Sequence, residues 1–359
     1  MRGYGRERQH RDREWVPRRI RDDWKGQLGV RYEVLECIGE GTYGQVFRAR
    51  RSSDGEIVAL KRIHLQESLV SSSALSENSA VVDEISALLE LDHPNVVKLL
   101  EYFEHNSAVV LVFEFLATNL AEVIKRGQEP LDEADVKGWM VQILCGLAAC
   151  HDAAIIHRDL KPANLLISKG GVLKLGDFGL ARVCKDGERV EFTHMLATRW
   201  YRAPELLYGA RECGKGVDIW AVGCIFAELL ARAPLFPGDC EIDQLSRVVK
   251  MMGIADESNW PGVSDLPDFG KILFSPPEII PLERALPNAS EGAIRLLKKM
   301  LVYSPESRVS AAEALQDEYF LTAPLPKPAA DLWIPPITPQ KGTTRGEGNT
   351  RHQWRATHC

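Results

Sequence analysis

The chain has 359 residues, of which 45% are hydrophobic and 26% charged, and its formal net charge is -6. This length is too great for one small core and suits two lobes with tails. The negative net charge argues against nucleic acid as the main ligand, because binding a phosphate backbone requires a basic face. No uncharged stretch approaches the roughly 18 residues of a membrane helix and no signal peptide is present, so we expect an intracellular protein without membrane insertion.

The two ends of the chain differ in composition from its middle. Residues 1–30 hold eight Arg and one Lys against five acids, and their lack of apolar periodicity predicts a disordered basic extension. This extension is interpreted either as a solvated tail or as a docking or localisation segment. Residues 321–359 form a Pro-rich tail, which we expect to be extended or disordered. The eight cysteines form no CxxC pair, so we expect free thiols rather than a zinc site or disulfides.

Residues 31–116 show the patterns of a small lobe made of strands and one helix. Period-two alternation of apolar residues predicts the strands, and helical spacing begins near Ala80 and ends at His93-Pro94-Asn95. The predicted strands are Tyr32–Ile38, Gln45–Arg50, Ile57–Ile63, Val96–Tyr102 and Val109–Phe113.

After Leu116 the apolar period changes to about 3.6, which predicts a larger lobe over residues 117–320 that is mainly helical. The predicted helices are Leu120–Lys125, Ala134–Cys150, Asp218–Leu230, Ile242–Met252, Gly292–Leu301 and Ala311–Leu315. The expected fold class is therefore α+β, with two lobes: a small antiparallel β lobe that carries one helix, and a larger helical lobe.

The turn between the first two predicted strands is rich in glycine. Glycine lets backbone N–H groups approach phosphate oxygens closely and adopt positive φ angles, so this turn is a candidate phosphate-binding loop. An ordinary glycine-rich hairpin is an equally good interpretation of the turn by itself. The turn reads Gly39-Glu40-Gly41-Thr42-Tyr43-Gly44.

Lys61 lies near the end of the third predicted strand and strengthens the first interpretation. A lysine that points inward from an apolar strand is costly unless it is paired, so we expect it to bind nucleotide phosphates and a helix carboxylate. Glu84 is the favoured carboxylate because it precedes Ile85 on the periodic helix. Glu77 and Glu90 are the competing carboxylates, and we expect both to be solvated.

Three motifs then follow in the order that phosphoryl transfer from ATP requires. We expect Asp159 to orient an acceptor hydroxyl and accept its proton late in the reaction, and Lys161 to stabilise the transferring phosphoryl charge. Asn164 and Asp177 supply hard oxygen ligands of the kind that Mg²⁺ prefers. The motifs are His157-Arg158-Asp159-Leu160-Lys161-Pro162-Ala163-Asn164, Asp177-Phe178-Gly179 and Ala203-Pro204-Glu205.

Several other polar residues in the larger lobe are predicted to be structural. We expect Arg308 to pair with Glu205 and so to connect distant parts of the lobe. Asp218 precedes an apolar pair and is expected to cap the backbone of the loop that holds Asp159. His157 is expected to pack and hydrogen-bond rather than to titrate during turnover.

These motifs resemble the eukaryotic protein kinase family over roughly residues 32–320. Within that family, Ala197–Gly209 is similar to the branch that holds cyclin-dependent and MAP kinases, and Leu111–Leu116 is similar to a cyclin-dependent kinase hinge. A MAP kinase would have a tyrosine where this chain has Met195, so the cyclin-dependent group is favoured. The resemblance implies the bilobal protein kinase fold, with ATP and Mg²⁺ as cofactors. It further implies phosphorylation of Ser/Thr in protein substrates, which we expect to precede proline.

The resemblance also implies how the residues of the nucleotide site are used. Four apolar side chains enclose adenine, Phe113 faces it, and the hinge backbone from Glu114 to Leu116 hydrogen-bonds its edge. The implied cofactor-binding residues are Ile38, Gly39, Glu40, Gly41, Thr42, Tyr43, Gly44, Gln45, Val46, Ala59, Lys61, Glu84, Phe113, Glu114, Leu116 and Leu166. Thr193 stands where this group carries its activating threonine. Thr42 and Tyr43 are candidate inhibitory phosphosites, or they only shape the turn.

One position departs from the family pattern. Asp83 stands where familiar members have an arginine that binds the activating phosphothreonine together with Arg158 and Arg182. An anion there should weaken phosphate binding. We hypothesise that phosphorylation of Thr193 is less decisive here, or that a partner supplies the missing charge. That partner is a cyclin or another activating subunit, although the altered helix puts an ordinary cyclin in doubt.

The wider role that the resemblance implies is cell-cycle or cilium regulation and activation of other kinases, in the cytoplasm, nucleus or cilium. The competing interpretation is a kinase-shaped scaffold that acts only by docking. Scaffolds of this kind usually lack the equivalents of Lys61, Asp159 or Asp177. Because all three residues are present, the active enzyme is favoured.

Overall fold

A computed structural model describes residues 30–41, 44–64, 79–105, 108–127, 131–183, 190–191 and 199–336. The described chain forms a small lobe dominated by one sheet and a larger lobe dominated by helices. The basic extension before Val30 and the residues after Pro336 lie outside the described part, as do the serine-rich residues 65–78.

The small lobe is built on a five-stranded antiparallel sheet with the strand order β1-β2-β3-β5-β4. The five predicted strands are present. The fourth begins at Leu99 rather than Val96, because Val96 instead forms a bridge with Leu175 of the larger lobe. The strands are β1 (Tyr32–Gly41), β2 (Gly44–Arg51), β3 (Ile57–His64), β4 (Leu99–His105) and β5 (Ala108–Glu114).

One helix, α1 (Ser79–Glu90), belongs to the small lobe, as predicted, although it ends before His93. Successive residues of a strand face opposite sides of a sheet, and β5 shows the consequence. Val110 and Val112 belong to an outer apolar cluster, whereas Leu111 and its neighbours join the core beneath the helix. The sheet thus has two buried faces, and the inner face is the one that adjoins the larger lobe.

All six predicted helices of the larger lobe are confirmed, with bounds that differ by at most two residues. Three four-residue helices were not predicted, because one turn is too short to show helical periodicity. The helices are α2 (Leu120–Arg126), α3 (Glu133–Asp152), α4 (Pro204–Leu207), α5 (Gly216–Ala231), α6 (Glu241–Met252), α7 (Leu282–Ala285), α8 (Glu291–Met300), α9 (Ala311–Leu315) and α10 (Glu318–Leu321). The predicted α+β class and two-lobed architecture are confirmed.

Short strands connect the larger lobe to the cleft between the lobes. The loop 157–164 lies between β7 (Ile155–Ile156) and β8 (Leu165–Ile167), and Asp177 closely follows β9 (Leu173–Leu175), so these strands position the predicted site residues. A three-stranded sheet contains β6 (Thr118–Asn119), β8 and β9, while β7 pairs with β10 (Arg182–Val183) and β11 (Val190–Glu191) with β12 (Glu212–Cys213).

Residues 321–336 of the Pro-rich tail run mostly without regular structure and pack onto α3. Lys137 is almost completely buried, and its Nζ donates to the carbonyls of Thr322 and Pro324, each at 2.9 Å. A Cβ on Gly138 would lie 2.6 Å from the carbonyl oxygen of Lys327, so glycine at this helical position permits the close approach. Within the described residues, no helix is both long and apolar enough to cross a bilayer.

Candidate active site

Lys61 on β3 lies at the centre of a cluster of charged side chains between the lobes. Its Nζ donates to Glu84 Oε1 at 2.7 Å and to Asp177 Oδ1 at 2.9 Å. The predicted pairing of Lys61 with Glu84 is therefore present. Glu90 is exposed, as expected, and Glu77 lies outside the described residues. Glu84 retains 3% of its side-chain exposure and Asp177 retains 48%, so the cluster is open on the Asp177 side.

The charges in this cluster shift the pKa values of Lys61 and Asp177 toward their ionised forms. Burial disfavours the charged form of Lys61, but the carboxylates of Glu84 and Asp177 outweigh burial and raise the pKa of Lys61 above its ordinary value. Burial likewise favours the neutral form of Asp177, yet the Lys61 ammonium lowers the pKa of this carboxyl. Lys61 and Asp177 thus favour each other's charged forms.

Gly179 explains how the three groups fit together. A Cβ at this position would lie 3.3 Å from Lys61 Nζ and 3.4 Å from Asp177 Oδ1. A larger residue would therefore crowd the ion pair. The sequence motif contained this glycine, but its contact with Lys61 joins parts of the chain that are far apart in sequence, and only the folded structure shows it.

The loop 157–164 holds Asp159 by hydrogen bonds from two of its own side chains. Lys161 Nζ donates to Asp159 Oδ2 at 2.8 Å, and Asn164 Nδ2 donates to the same oxygen at 3.0 Å. Asn164 Nδ2 also donates to the Asp159 carbonyl at 2.8 Å. The three residues form one compact network, which fixes the direction of the Asp159 carboxylate.

Asp218 at the start of α5 anchors this loop from below, as predicted. Its carboxylate accepts hydrogen bonds from the backbone N–H groups of His157 at 2.9 Å and Arg158 at 2.8 Å, and from His151 Nε2 at 3.0 Å. Burial would raise the pKa of Asp218, but these donors outweigh it and lower the pKa. Arg158 has a left-handed φ of 66°, and the two N–H bonds stabilise this strained backbone.

Backbone contacts bring Asn164 and Asp177 together although they lie on different loops. The N–H of Gly176 donates to the carbonyl of Asn164 at 2.9 Å. His157 Nε2 is 3.0 Å from the Gly176 carbonyl, and its ring packs 4.8 Å from that of Phe178, so His157 has the packing role that was predicted. The backbone contacts place Asp177, the residue after Gly176, directly beside the loop 157–164.

The oxygens at this junction fit a small divalent cation. Both hydrogen bonds that Asn164 Nδ2 donates go to Asp159, so the amide is turned with Oδ1 as its available ligand atom. Asp177 adds a carboxylate that is half-exposed. An amide oxygen, a carboxylate oxygen and phosphate oxygens form the type of ligand set that Mg²⁺ binds.

The apolar residues that were predicted to enclose adenine come from strands of both lobes. Ala59 on β3 is directly opposite Phe113 on β5, and Phe113 is buried. A Cβ at Gly176 would lie 2.8 Å from the side chain of Leu166, which places Leu166 next to the Asp177 loop. The other predicted adenine contacts on the small lobe, Ile38 on β1 and Val46 on β2, are exposed and partly buried respectively.

The hinge residue Glu114 has contacts that the sequence patterns did not reveal. Its Oε1 accepts from Lys174 Nζ of β9 at 2.7 Å and from the backbone N–H of Lys98 at 2.8 Å. The hinge is thus linked to both lobes by one carboxylate. The sequence offered one signal for this contact: Lys174 is a charged residue between two leucines, Leu173 and Leu175.

The glycine-rich turn is described only in part. Gly44 has φ +144°, and a Cβ there would lie 1.8 Å from the carbonyl oxygen of Arg62, so only glycine fits this position. Thr42, Tyr43 and the candidate activating residue Thr193 lie outside the described residues. Asp83 is a residue of α1, but its side chain is outside the described part.

Comparison with known proteins identifies the family to which this site belongs. The family model for the protein kinase domain matches residues 32–320. The chain belongs to the protein kinase family. The kinase is 49% identical to zebrafish (Danio rerio) Cyclin-dependent kinase 20 over 308 residues, which cover 85% of this chain and 87% of the relative.

Two further relatives show the same group. Human (Homo sapiens) Cyclin-dependent kinase 20 is 48% identical with the same coverage. Cyclin-dependent kinase 7 of Xenopus laevis is 43% identical over 297 residues, or 83% of each chain. The chain is therefore a kinase of the cyclin-dependent group and an ATP-dependent protein serine/threonine kinase. The likeness to Cyclin-dependent kinase 20 extends over 308 residues, well beyond the catalytic motifs.

Proposed function

We propose that this kinase binds Mg·ATP between its lobes and transfers the γ-phosphoryl group to Ser/Thr hydroxyls that precede proline in protein substrates. The observation that carries this proposal is the convergence of Lys61, Asp159, Asn164 and Asp177 at one cleft. These four residues come from three separate parts of the chain, and they supply a cation, a candidate base and two oxygen ligands in one place. Phosphoryl transfer depends mainly on such positioning and on electrostatic stabilisation.

Each residue of the cleft is assigned one role. Asp159 orients the acceptor hydroxyl and receives its proton, and the hydrogen bonds from Lys161 and Asn164 hold its carboxylate in place. Lys161 stabilises the negative charge of the phosphoryl group while it is being transferred. Lys61, held by Glu84, binds the phosphates of the nucleotide. The acceptor hydroxyl and the γ-phosphoryl group are thereby aligned before transfer begins.

Asn164 Oδ1 and the Asp177 carboxylate are the proposed Mg²⁺ ligands. The bound ion would neutralise the negative charge of the phosphates. Adenine is assigned to the apolar part of the cleft, between Ile38, Val46 and Ala59 above and Leu166 below. Phe113 limits the depth of this pocket, and the backbone from Glu114 to Leu116 supplies its polar edge.

The decisive test compares Asp159→Asn with the wild type and with Asp152→Asn. Asp152 is an exposed residue at the end of α3 and serves as the matched control. We expect Asp159→Asn to lower kcat by about 10²- to 10⁴-fold, the range typical of general base catalysis, and Asp152→Asn to leave kcat unchanged. Radiolabelled transfer from Mg·ATP to a Ser-Pro peptide and to its Ser-Ala counterpart measures both activity and preference. Equal transfer by wild type and Asp159→Asn would exclude the assigned site.

Regulation through Thr193 is proposed to be weaker than the family pattern implies. The charge reversal at Asp83 motivates this proposal, because an anion opposes binding of a phosphate that carries about two negative charges. We expect Thr193→Ala to retain substantial activity, and Asp83→Arg to make activity depend on Thr193 phosphorylation. The proposal is wrong if Thr193→Ala is inert and Asp83→Arg gives no gain from Thr193 phosphorylation. A partner that supplies the charge, a cyclin or another activating subunit, would be captured by affinity purification of the Asp159→Asn protein.

We further propose that the kinase acts in cell-cycle or cilium control and activates other kinases, and that it works inside the cell, in the cytoplasm, nucleus or cilium. Its similarity to Cyclin-dependent kinase 20 supports this role. Fluorescent tagging of the full chain, with and without residues 1–30, tests the compartment and the contribution of the basic extension. An unchanged distribution would leave residues 1–30 without a localisation role.

A further inference from the structure

The chain itself contains three Ser/Thr-Pro dipeptides, at Ser275, Ser304 and Thr338. A kinase that selects such dipeptides can phosphorylate a second copy of itself if one of the dipeptides is accessible. Thr338 lies outside the described residues. The inference therefore concerns the other two serines and rests on the proposed proline-directed activity.

Ser275 is in an exposed segment of irregular backbone. Residues 273–281 belong to no helix or strand, and Ser275 and Pro276 are both exposed. Leu273, two residues earlier, is 88% exposed. Because Pro276 directly follows Ser275, steric contact with its ring disfavours a helical backbone at Ser275 and favours an extended one. An extended segment enters a peptide-binding groove at a low entropic cost.

Ser304 has the opposite environment although its dipeptide is the same. It is 8% exposed, and its Oγ donates to Glu306 Oε2 at 3.2 Å. Its carbonyl accepts the N–H of Ser307 at 3.1 Å within a one-turn 3₁₀ helix. Phosphorylation of Ser304 would require this buried turn to unfold first.

We propose that Ser275 is a phosphorylation site that a second copy of this kinase modifies. In the reaction, the bond between the γ-phosphorus of ATP and the β,γ-bridging oxygen breaks, and a bond forms from Ser275 Oγ to that phosphorus. The hydroxyl proton passes to the Asp159 carboxylate of the copy that acts as enzyme. The products are phosphoserine and ADP, so no further reactant is required.

The geometry favours transfer between molecules over transfer within one. The segment is attached to the larger lobe on both sides, since Asp268 N–H donates to the Tyr208 carbonyl and Ile280 N–H to the Lys250 carbonyl, each at 2.9 Å. Phe274 packs against the core immediately before Ser275. Reaching the cleft of the same molecule would break these anchors, whereas a second molecule needs only local access to the exposed residues around Ser275.

The experiment separates the enzyme copy from the acceptor copy. Wild-type kinase is mixed with Mg·ATP and an excess of full-length Asp159→Asn acceptor, distinguished by a mass tag, and phosphate is mapped by mass spectrometry. Matched acceptors carry Ser275→Ala or Ser304→Ala in addition. We expect phosphate on Ser275 of the acceptor, loss of that peptide's label with Ser275→Ala, and an unchanged Ser275 label with Ser304→Ala.

Two synthetic peptides, covering residues 270–281 and 299–310, distinguish failure of this inference from failure of the proposed function. We expect both peptides to be phosphorylated, because burial rather than local sequence protects Ser304. If the peptides are phosphorylated but Ser275 of the folded acceptor is not, the inference is wrong and the proline-directed activity stands. If neither peptide is phosphorylated, the proline-directed activity itself is wrong. A control reaction contains the Asp159→Asn acceptor and ATP but no wild-type kinase. Phosphate on Ser275 in this control would also overturn the inference, because a contaminating kinase would be responsible.

Discussion

Two ion pairs in this kinase, Arg308 with Glu205 and Lys61 with Glu84, each join a basic residue to a glutamate that is distant in sequence. They differ in whether they can still bind a ligand. In the larger lobe, Arg308 is fully buried against Glu205, with both NH groups donating to its carboxylate at 2.7 Å. The remaining guanidinium donors reach the carbonyls of Gly216, Val302 and Tyr303 at 2.8 to 2.9 Å. Every N–H of this guanidinium has a partner inside the protein, so the pair has no capacity left for a ligand.

The Lys61 cluster in the cleft can still bind a ligand. Lys61 contacts two carboxylates, and one of them, Asp177, keeps 48% of its side-chain exposure. An exposed carboxylate with one oxygen bonded to lysine can still bind a cation, and a lysine held at the cleft can still approach phosphates. Opposite charges alone therefore do not distinguish a structural ion pair from one that can bind a ligand. What distinguishes them is whether every hydrogen-bond donor already has a partner inside the protein and whether a charged side chain stays exposed.

The largest expected effect concerns the saturated pair. Arg308→Met leaves Glu205 buried without its partner, and we expect the free energy of unfolding to fall by about 3–5 kcal/mol. Urea denaturation measures this change, with Lys271→Met in an exposed pair with Asp268 as the control, expected to change by less than about 0.5 kcal/mol. The double variant Glu205→Met with Arg308→Met should recover only part of the stability, because the carbonyls of Gly216, Val302 and Tyr303 still lose their donor. A small loss in the single variant would contradict the structural role.

The second prediction concerns function at the open cluster. Lys61→Met should lower kcat by about 10²- to 10³-fold, because it removes the positive charge that we propose stabilises the phosphates. The double variant Lys61→Met with Glu84→Met should recover stability without recovering kcat. Steady-state phosphoryl transfer, corrected for the folded fraction by circular dichroism, measures the effect. Recovery of kcat in the double variant would show that Lys61 acts only through stability.

Lys137 is a third buried cation, and it lies outside the cleft. It can be compared with Arg308 and Lys61. Lys137 donates to two tail carbonyls and lies 4.6 Å from the centre of the Tyr319 ring, so it resembles Arg308 in having internal partners. Lys137→Met should reduce the unfolding free energy by about 1–3 kcal/mol, because the carbonyls of Thr322 and Pro324 lose their donor. Limited proteolysis should cut residues 321–336 faster in this variant. Unchanged cleavage would mean that the tail is held by its other contacts alone.

The smallest expected effect is the pH dependence of the open cluster. Because the folded pKa of Asp177 is depressed by Lys61, the ionised carboxylate stabilises the fold above its unfolded pKa of about 3.9. This contribution is lost as pH falls through the lower folded value. Lys61→Met removes it, so the stability difference between the two proteins should narrow below about pH 4. For a half-exposed carboxylate we expect less than about 1 kcal/mol, measured by urea midpoints between pH 7 and pH 3.

Elements of the fold were predictable where the local pattern was strong. Strand alternation located β1 to β3, and helical periodicity located α3 and α5, because burial of one face forces apolar residues to recur at the period of the element. The start of β4 was mispredicted, since Val96 is as apolar as its neighbours but pairs with Leu175 across the lobes. Such a long-range partner leaves no trace in the local pattern.

One ion pair in the cleft was predictable from the sequence, whereas other contacts around it were not. The pairing of Lys61 with Glu84 followed from the cost of burying a lone charge, and the structure contains it. The carboxylate of Glu114 linked to Lys174, and Lys137 linked to the tail, were not anticipated. These contacts join residues separated by 60 and 185 positions, so sequence spacing carries no information about them.

The amino-acid sequence by itself determined which chemical groups this kinase contains: a glycine-rich turn, a strand lysine, a candidate base and two candidate oxygen ligands, in the order that phosphoryl transfer needs. It also determined the two lobes, because apolar periodicity changes from strand to helix between them. Only the tertiary structure decided which charges are saturated and which stay open, and which Ser-Pro dipeptide is accessible. Saturation and accessibility depend on what packs around a side chain, and packing is set by contacts between parts of the chain that are distant in sequence.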